Sequence, residues 1–172
     1  SWAGSVVTDT DTVFTLTTNQ NLGALGAAVN CWIGGRGNNN TRQSISFTGG
    51  HGINIDNYGA KWAVILSENV TFQNTGDLTF SNNAADMTNT DALYGAGAIA
   101  ANDTVTFSGT GALTFSGNSV RGDSAASGGA IYASGGALFT NTGAISFAGN
   151  TAMTHGGAIH AGGTTGSLAF SN

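Results

Sequence analysis

Residues Gly128–Asn150 read GGAIYASGGALFTNTGAISFAGN and contain three short segments in which apolar residues alternate with small or polar ones. The segments are Ala130–Ala133, Ala137–Phe139 and Ala144–Phe147, separated by Gly, Ser, Thr and Asn. Alternation with a period of two is typical of a strand with one buried face. None of the segments is long enough for a helix, so the stretch predicts three short strands joined by tight turns.

The same block recurs along the chain, and its copies align in three columns of apolar residues. The first column holds Val64, Ile99, Ile131 and Ile159. The second column holds Phe72, Phe107 and Phe139. The third column holds Phe80, Phe115, Phe147 and Phe170, and we assign Phe47 to the same column in an earlier copy. In the three full copies the step from one column to the next is constant, which indicates one structural unit repeated.

The residue that follows each first-column aliphatic varies freely, whereas the residue after it is always apolar. The variable positions are Ile65, Ala100, Tyr132 and His160, and the restricted ones are Leu66, Ala101, Ala133 and Ala161. Because side chains alternate across a strand, we expect the restricted positions to face a core and the variable ones to face solvent. The Phe columns are predicted to lie inside.

Repeated units of three strands, each stacked in register on the last, predict an all-β fold. We interpret it as a right-handed parallel β-helix (solenoid) with about three strands per rung and about five rungs. Asn83, Asn118 and Asn150 each stand three places after a third-column Phe. A constant offset favours an inward ladder of amides that bond the turn backbone and one another. Surface turn residues are the alternative.

The 172 residues are predicted to form a single β-helix fragment, with 1–40 as an irregular N-terminal rung or cap and 41–172 as repeated rungs. The candidates for covering that end are Trp2, Phe14, Leu16 and Trp32, and the last residues stop inside a repeat, which favours a fragment. Charged residues make up 8% of the chain and proline is absent. This is the composition of a tightly wound small-residue β structure rather than of a disordered chain.

The net charge is −5, and the cations are limited to Arg36, Arg42, Lys61 and Arg121. Four scattered cations cannot form the basic stripe that nucleic acid or an anionic membrane surface requires. No apolar run is long enough for a spanning helix. Cys31 is the single cysteine, so no disulfide forms within the chain, and we expect it to be a buried inert thiol at an inward position.

Repeat length varies in one place, between a third-column Phe and the next first-column aliphatic. The predicted inserts are Gly49–Ala60, Ala84–Gly95, Ser119–Ser127 and Thr151–His155. Inserts on one edge of a solenoid often form its interaction face. Interfaces use aromatic, Arg and Met anchors, so the candidate binding residues are Tyr58, Met87, Tyr94, Arg121 and Met153.

Two short motifs alternate in the second half of the chain. GGAI occurs as Gly128-Gly129-Ala130-Ile131 and Gly156-Gly157-Ala158-Ile159, and FxxN occurs at Phe80 to Asn83, Phe115 to Asn118 and Phe147 to Asn150. Together, over residues 60–172, they resemble the repeats of chlamydial polymorphic membrane proteins. The resemblance implies the surface-exposed passenger of an autotransporter adhesin, on the outer membrane or released from it. It also implies a host cell-surface receptor, protein or glycan, as the partner, and no cofactor.

Other chemical signals are sparse. Arg121-Gly122-Asp123 matches the integrin-binding tripeptide, in which a cation and a carboxylate flank a flexible Gly at a loop tip, although three residues match easily by chance. Gly49 to Asp56 resembles a single calcium-binding nonapeptide with Asn where Asp is wanted. His155 and His160 have no evident third ligand, so we predict no metal site.

Two alternatives to an adhesin stay open. A polysaccharide-acting β-helix enzyme would need clustered carboxylates, whereas the nine Asp and Glu residues here are scattered. A structural stalk without its own binding site cannot be distinguished from an adhesin by sequence, because binding residues need not form a motif. Open strand edges and few charges also predict self-association.

Overall fold

The computed structural model describes residues 6–22, 31–35, 43–88, 94–122, 126–162 and 166–171. These residues form short β-strands, and none of them lies in a helix that could cross a membrane. The strands of the first turn are β1 (Val6–Thr8), β2 (Thr12–Thr15) and β3 (Gln20–Leu22). The second turn contains β4 (Ile33–Gly35), β5 (Ile45–Thr48), β6 (Ile53–Asp56) and β7 (Gly59–Ala60).

The later turns follow the same order. The third contains β8 (Ile65–Ser67), β9 (Val70–Gln73), β10 (Leu78–Ser81) and β11 (Ala84–Met87). The fourth contains β12 (Ile99–Ala101), β13 (Thr104–Ser108), β14 (Leu113–Ser116) and β15 (Ser119–Gly122). The fifth contains β16 (Ile131–Ala133), β17 (Gly136–Thr140), β18 (Ile145–Ala148) and β19 (Thr151–Ala152). The sixth begins with β20 (Ile159–Ala161) and β21 (Ser167–Ser171).

Each strand pairs in parallel with the equivalent strands of the neighbouring turns, which gives four sheets. We call them sheets A, B, C and D after the first, second, third and fourth strand of a turn. The fold is therefore an all-β parallel solenoid of about four complete turns, which confirms the predicted fold class; its right-handed winding stays a prediction. A turn has a fourth, short strand beyond the about three that the sequence predicts, because sheet D lies within the stretches interpreted as inserts.

Stacked phenylalanine rings form the centre of the solenoid. In sheet B the rings of Phe14, Phe47, Phe72, Phe107, Phe139 and Phe170 stack with centroids 5.5, 4.9, 5.1, 5.0 and 4.7 Å apart. In sheet C the ring of Phe115 stacks on Phe80 at 5.3 Å and on Phe147 at 5.0 Å. The two columns meet edge to face, as between Phe107 and Phe115 at 6.0 Å. The predicted interior stacks are confirmed for the middle turns, with Phe147 half-buried in the fifth turn, whereas the prediction is wrong for Phe170, which is 56% exposed in the last strand.

Two of the predicted third-column residues belong to the second column. Phe47 pairs with Phe72, and Phe170 pairs with Phe139, so both lie in sheet B. The third-column residue of the second turn is Ile55, which pairs with Phe80. The error has a simple cause: strands of sheets B and C share the pattern of an aliphatic residue two places before a Phe. A segment with only one such pair therefore fits either sheet.

The first column also shifts in the third turn. Ile99 pairs with Ile65 rather than with Val64, and Ala100 pairs with Leu66. Both Val64 and Ile65 are buried in the main core, so burial alone does not distinguish them. The step to Phe72 is therefore one residue shorter than in the next two turns.

The described part of residues 1–40 contributes strands to the same sheets. Val6 pairs with Ile33 in sheet A, and Ile33 pairs with Ile65. Trp32 is fully buried in the main core. Whether this region acts as a cap stays a prediction, and Trp2 lies outside the described residues.

Both ends of the described stack carry exposed apolar side chains on edge strands, which pair with a neighbour on one side only within the described residues. Val13 in β2 is 65% exposed and Phe170 in β21 is 56% exposed. Because such edges act as templates for pairing, we expect the 172-residue chain to self-associate with increasing concentration. Sedimentation velocity should show the growth of oligomers, and Val13→Lys should reduce it. Thr106→Lys, in the middle of sheet B, is the control, and a strictly monomeric chain at high concentration would contradict the expectation.

Candidate functional site: the side lobe and its neck

The asparagines of FxxN form a ladder along the corner between sheets C and D. The Nδ2 of Asn83 donates to Oδ1 of Asn118 at 2.9 Å, and the Nδ2 of Asn118 donates to Oδ1 of Asn150 at 2.9 Å. The Nδ2 of Asn118 also donates to the carbonyl oxygen of Phe80 at 2.8 Å, and Asn150 donates in the same way to Phe115 at 2.9 Å. The predicted amide ladder is therefore present, and it ties the Phe of one turn to the Asn of the next.

The residue just before each ladder position explains why the chain can turn there. Asn57, Asn82, Gly117 and Gly149 have φ values of 57°, 53°, 62° and 63°. Gly and Asn are the residues that adopt this left-handed conformation at least cost. The sequence carries this signal as Asn or Gly at the third position of FxxN, a position that the columns of apolar residues do not include.

The glycines of GGAI lie where the chain returns to sheet A. Gly128 and Gly156 have φ values of 76° and 62°, which favour glycine. A Cβ on Gly129 would lie 2.5 Å from the backbone nitrogen of Thr151, so the second glycine permits close contact with the next turn. The Ala and Ile that follow begin the buried strand, and Ile131 pairs with Ile159.

FxxN and GGAI meet at one place, which we call the neck. A Cβ on Gly97 would lie 2.6 Å from the nitrogen of Ser119 and 3.0 Å from Cβ of Asn118. The contact between Gly129 and Thr151 repeats this arrangement one turn later. In each turn the chain therefore leaves the solenoid after the asparagine of FxxN. It returns, at the same corner of the solenoid, at the glycine that precedes Ala-Ile. We call the segments between them, residues 84–96, 119–128 and 151–156, the side lobes.

The side lobes have a small core of their own. Ala85, Met87, Val120 and Ala126 form a buried cluster separate from the main core, with Ala152 packed against it. The strands β11 and β15 pair in register within it. The described residues of the lobes thus pack against one another, and the number of residues in a lobe differs between turns while the neck is constant.

Among the described lobe residues, exposed charged and apolar side chains lie on the outer face of sheet D and directly beyond its edge. Arg121 lies opposite Asp86, and its Nη2 is 2.7 Å from Oδ2 of Asp86, with side chains 72% and 43% exposed respectively. Hydrogen bonds from Thr88, and secondarily from Arg121, hold the pKa of Asp86 below its usual value. Met153 follows in the next turn, since its backbone nitrogen donates to the carbonyl of Val120, and it is 67% exposed.

The lobes also cover the outer face of sheet A. Tyr94 is buried there and stacks on Tyr132 at 5.2 Å, and Tyr132 stacks on His160 at 5.3 Å. Leu66, Ala100 and Cys31 belong to the same buried cluster. The expectation that the outward positions face solvent is therefore wrong where a lobe covers them, and Cys31 is buried outside the main core rather than inside it.

His155 and His160 lie close together on that face, with ring centroids 5.6 Å apart. Burial, and then the neighbouring His155, lower the pKa of His160. Among the described residues no group of three metal-ligating side chains is found. Asp56, in the stretch that resembles a calcium loop, instead accepts hydrogen bonds from Ser81 and Asn82, which lower its pKa.

The candidate anchors divide into buried and exposed residues. Tyr58, Met87 and Tyr94 are buried, so the expectation that they are exposed contacts is corrected for these three. Tyr58 occupies the ladder position of the second turn, where its backbone nitrogen donates to Oδ1 of Asn83, and burial raises its pKa to about 12. Arg121 and Met153 are exposed, and their role in binding stays a prediction.

The tripeptide Arg121-Gly122-Asp123 differs from its predicted setting. Arg121 and Gly122 are the last two residues of β15 rather than a flexible loop tip, and Arg121 is engaged by Asp86. Asp123 lies outside the described residues. The integrin match therefore stays a prediction that rests on the sequence alone.

The fold and the two motifs define a parallel β-solenoid built from FxxN and GGAI turns. The family model of the Chlamydia polymorphic membrane protein repeat matches residues 112–141 and 144–162, which contain two FxxN motifs and both GGAI motifs. The match confirms the resemblance seen in the sequence. No curated protein and no solved structure matches the chain. The repeat and the solenoid together fit a fragment of an autotransporter passenger.

Proposed function

We propose that the chain is part of the surface-exposed passenger of a bacterial autotransporter adhesin, and that its side lobes attach to host cells. The observation that carries this proposal is a lobe of variable length on a constant neck. A rigid body that holds variable segments is the usual arrangement for recognition. The family match and the solenoid support a location at the bacterial cell surface.

The outer face of sheet D is the best contact surface within the described residues. Arg and Met are enriched at protein interfaces, and here Arg121 lies in β15 while Met153 directly follows β19 in the next turn. Asp86 holds the guanidinium in place, which reduces the conformational entropy lost on binding. GGAI and FxxN act by closing the neck, which positions the lobes.

Beads coated with the intact chain should attach to epithelial cells, and a variant carrying Arg121→Ala and Met153→Ala should attach several-fold less. A matched control carries Lys61→Ala and Leu138→Ala, which also remove one exposed cation and one exposed apolar side chain. Replacing residues 119–128 by the six-residue lobe sequence TAMTHG should reduce attachment while the β-sheet circular dichroism spectrum is kept. Asp123→Ala alone tests the integrin tripeptide.

Each result separates the alternatives. If the lobe variants attach as well as the intact chain, the lobes are not the contact surface. If the intact chain does not attach at all, the adhesin proposal fails and a structural stalk becomes the better function. The outward residues Ser46, Thr71 and Thr106 of sheet B favour that second candidate, because they form a flat polar row with few anchors.

A further inference from the structure

A shallow polar groove of about 430 Å³ lies on sheet C in the first three turns, away from the residues of the lobes. Its polar lining consists of Asn19, Gln20, Asn21, Asn54, Asp77 and Thr79, with Gly52 between them. Its size falls within the range of roughly 300–1,000 Å³ that is typical of small-ligand sites. No described cation lines it.

Gly52 lines the groove between Asn19 and Asp77 and permits close contact between the second and third turns. Its backbone nitrogen donates to Oδ1 of Asn19 in the turn before at 2.8 Å, and a Cβ at this position would lie 2.3 Å from the carbonyl oxygen of Asp77 in the turn after. The second turn therefore contributes no side chain at this level. Asn19 and Asp77, which are both exposed, flank the gap.

The rest of the lining is an in-register row of polar side chains. Asn21 pairs with Asn54, and Asn54 pairs with Thr79. The Nδ2 of Asn54 donates to Oδ1 of Asn21 at 3.4 Å, which leaves the Nδ2 of Asn21 and Oδ1 of Asn54 for a ligand. Asp77 uses Oδ1 to accept from the backbone nitrogen of Ala112, which leaves Oδ2. The groove thus offers both a donor and acceptors along the solenoid axis.

We propose that this groove binds a neutral oligosaccharide that lies along the solenoid axis. Turns of a β-solenoid repeat at about 4.8 Å, which is close to the length of one pyranose residue, so successive sugars can meet successive turns. Amides and a carboxylate match the paired hydroxyl groups of sugars, which both donate and accept. Asp77 and the net charge of −5 disfavour sulfated or sialylated chains. The proposal does not depend on the lobes being the adhesive surface.

An array of neutral, sulfated and sialylated oligosaccharides, probed with the intact 172-residue chain, tests the class of ligand. We expect neutral oligosaccharides to be bound and the charged ones not. Isothermal titration with the best neutral oligosaccharide should then show at least a tenfold loss of affinity for Asn54→Val. Side-chain amide signals of Asn21 and Asn54 should shift on titration in NMR spectra of the intact chain.

Thr106→Val is the matched control, because it places the same side chain on the outer face of sheet B and should leave the affinity unchanged. If Asn54→Val does not fold, Asn54→Thr replaces it, because sheet C already has a threonine at the paired position, Thr79. This variant should also lower the affinity. The proposal would be overturned if the intact chain bound no oligosaccharide or bound charged glycans alone. It would also be overturned if the Asn54 variants bound the neutral oligosaccharide with the same affinity as the intact chain. The Arg121 and Met153 variant should bind the oligosaccharide normally, which separates this test from that of the lobes.

Discussion

Replacing Phe115 by alanine should lower the free energy of unfolding by about 3–5 kcal/mol, the usual cost of truncating a buried aromatic side chain. The ring is fully buried, stacks on both Phe80 and Phe147, and meets Phe107 edge to face. Truncation therefore opens a cavity where the two phenylalanine columns meet. Urea denaturation followed by far-ultraviolet circular dichroism measures the change.

Phe170→Ala is the matched control for this result. Phe170 stacks on Phe139 but is more than half exposed, so its truncation should cost about 1 kcal/mol, near the average for a point substitution. Equal losses for the two variants would show that burial in the stack does not determine the stability of the solenoid.

The second large effect is expected at Asn118, the middle residue of the amide ladder. Asn118→Ala removes the acceptor of both the backbone nitrogen and the Nδ2 of Asn83, and the donor to the Phe80 carbonyl oxygen. Each buried polar group left without a partner costs about 1–3 kcal/mol, so we expect a total loss of about 4 kcal/mol. The same urea titration measures it.

Asn82→Gly is the control for the ladder. Asn82 lies one place before Asn83, has a φ of 53°, and is equivalent to Gly117 in the next turn. Glycine adopts this conformation freely, and the variant loses only the exposed hydrogen bond from Nδ2 of Asn82 to Oδ1 of Asp56. The free energy of unfolding should therefore change by less than about 0.5 kcal/mol. A small effect of Asn118→Ala, comparable with that of the control, would mean that water replaces the ladder.

Much of the body of the solenoid is predictable from residue periodicity. A period of two defines the inward face of each strand, and repetition at a constant offset identifies Phe80, Phe115, Asn83 and Asn118 as equivalent positions. These inferences hold because stacked turns place like residues next to one another along the axis. The family resemblance rests on the same positions, which is why the family model recovers residues 112–141 and 144–162.

Assignments failed where the local pattern is shared by two sheets. An aliphatic residue two places before a Phe fits sheet B as well as sheet C, so Phe47 and Phe170 were placed in the wrong column. Only pairing with Phe72 and Phe139, which lie far away in the chain, resolves the choice.

The sequence by itself determined a repeated, parallel β fold with buried aromatic columns and an asparagine ladder. The tertiary structure alone decided what the inserts are: a fourth sheet with its own core, closed at a neck where Gly97 and Gly129 contact the next turn. It also decided that Tyr94 and Met87 are buried while Arg121 and Met153 are exposed. The physical reason is that exposure in a lobe depends on which neighbouring turn covers a side chain, and a residue's own local pattern carries no information about that neighbour.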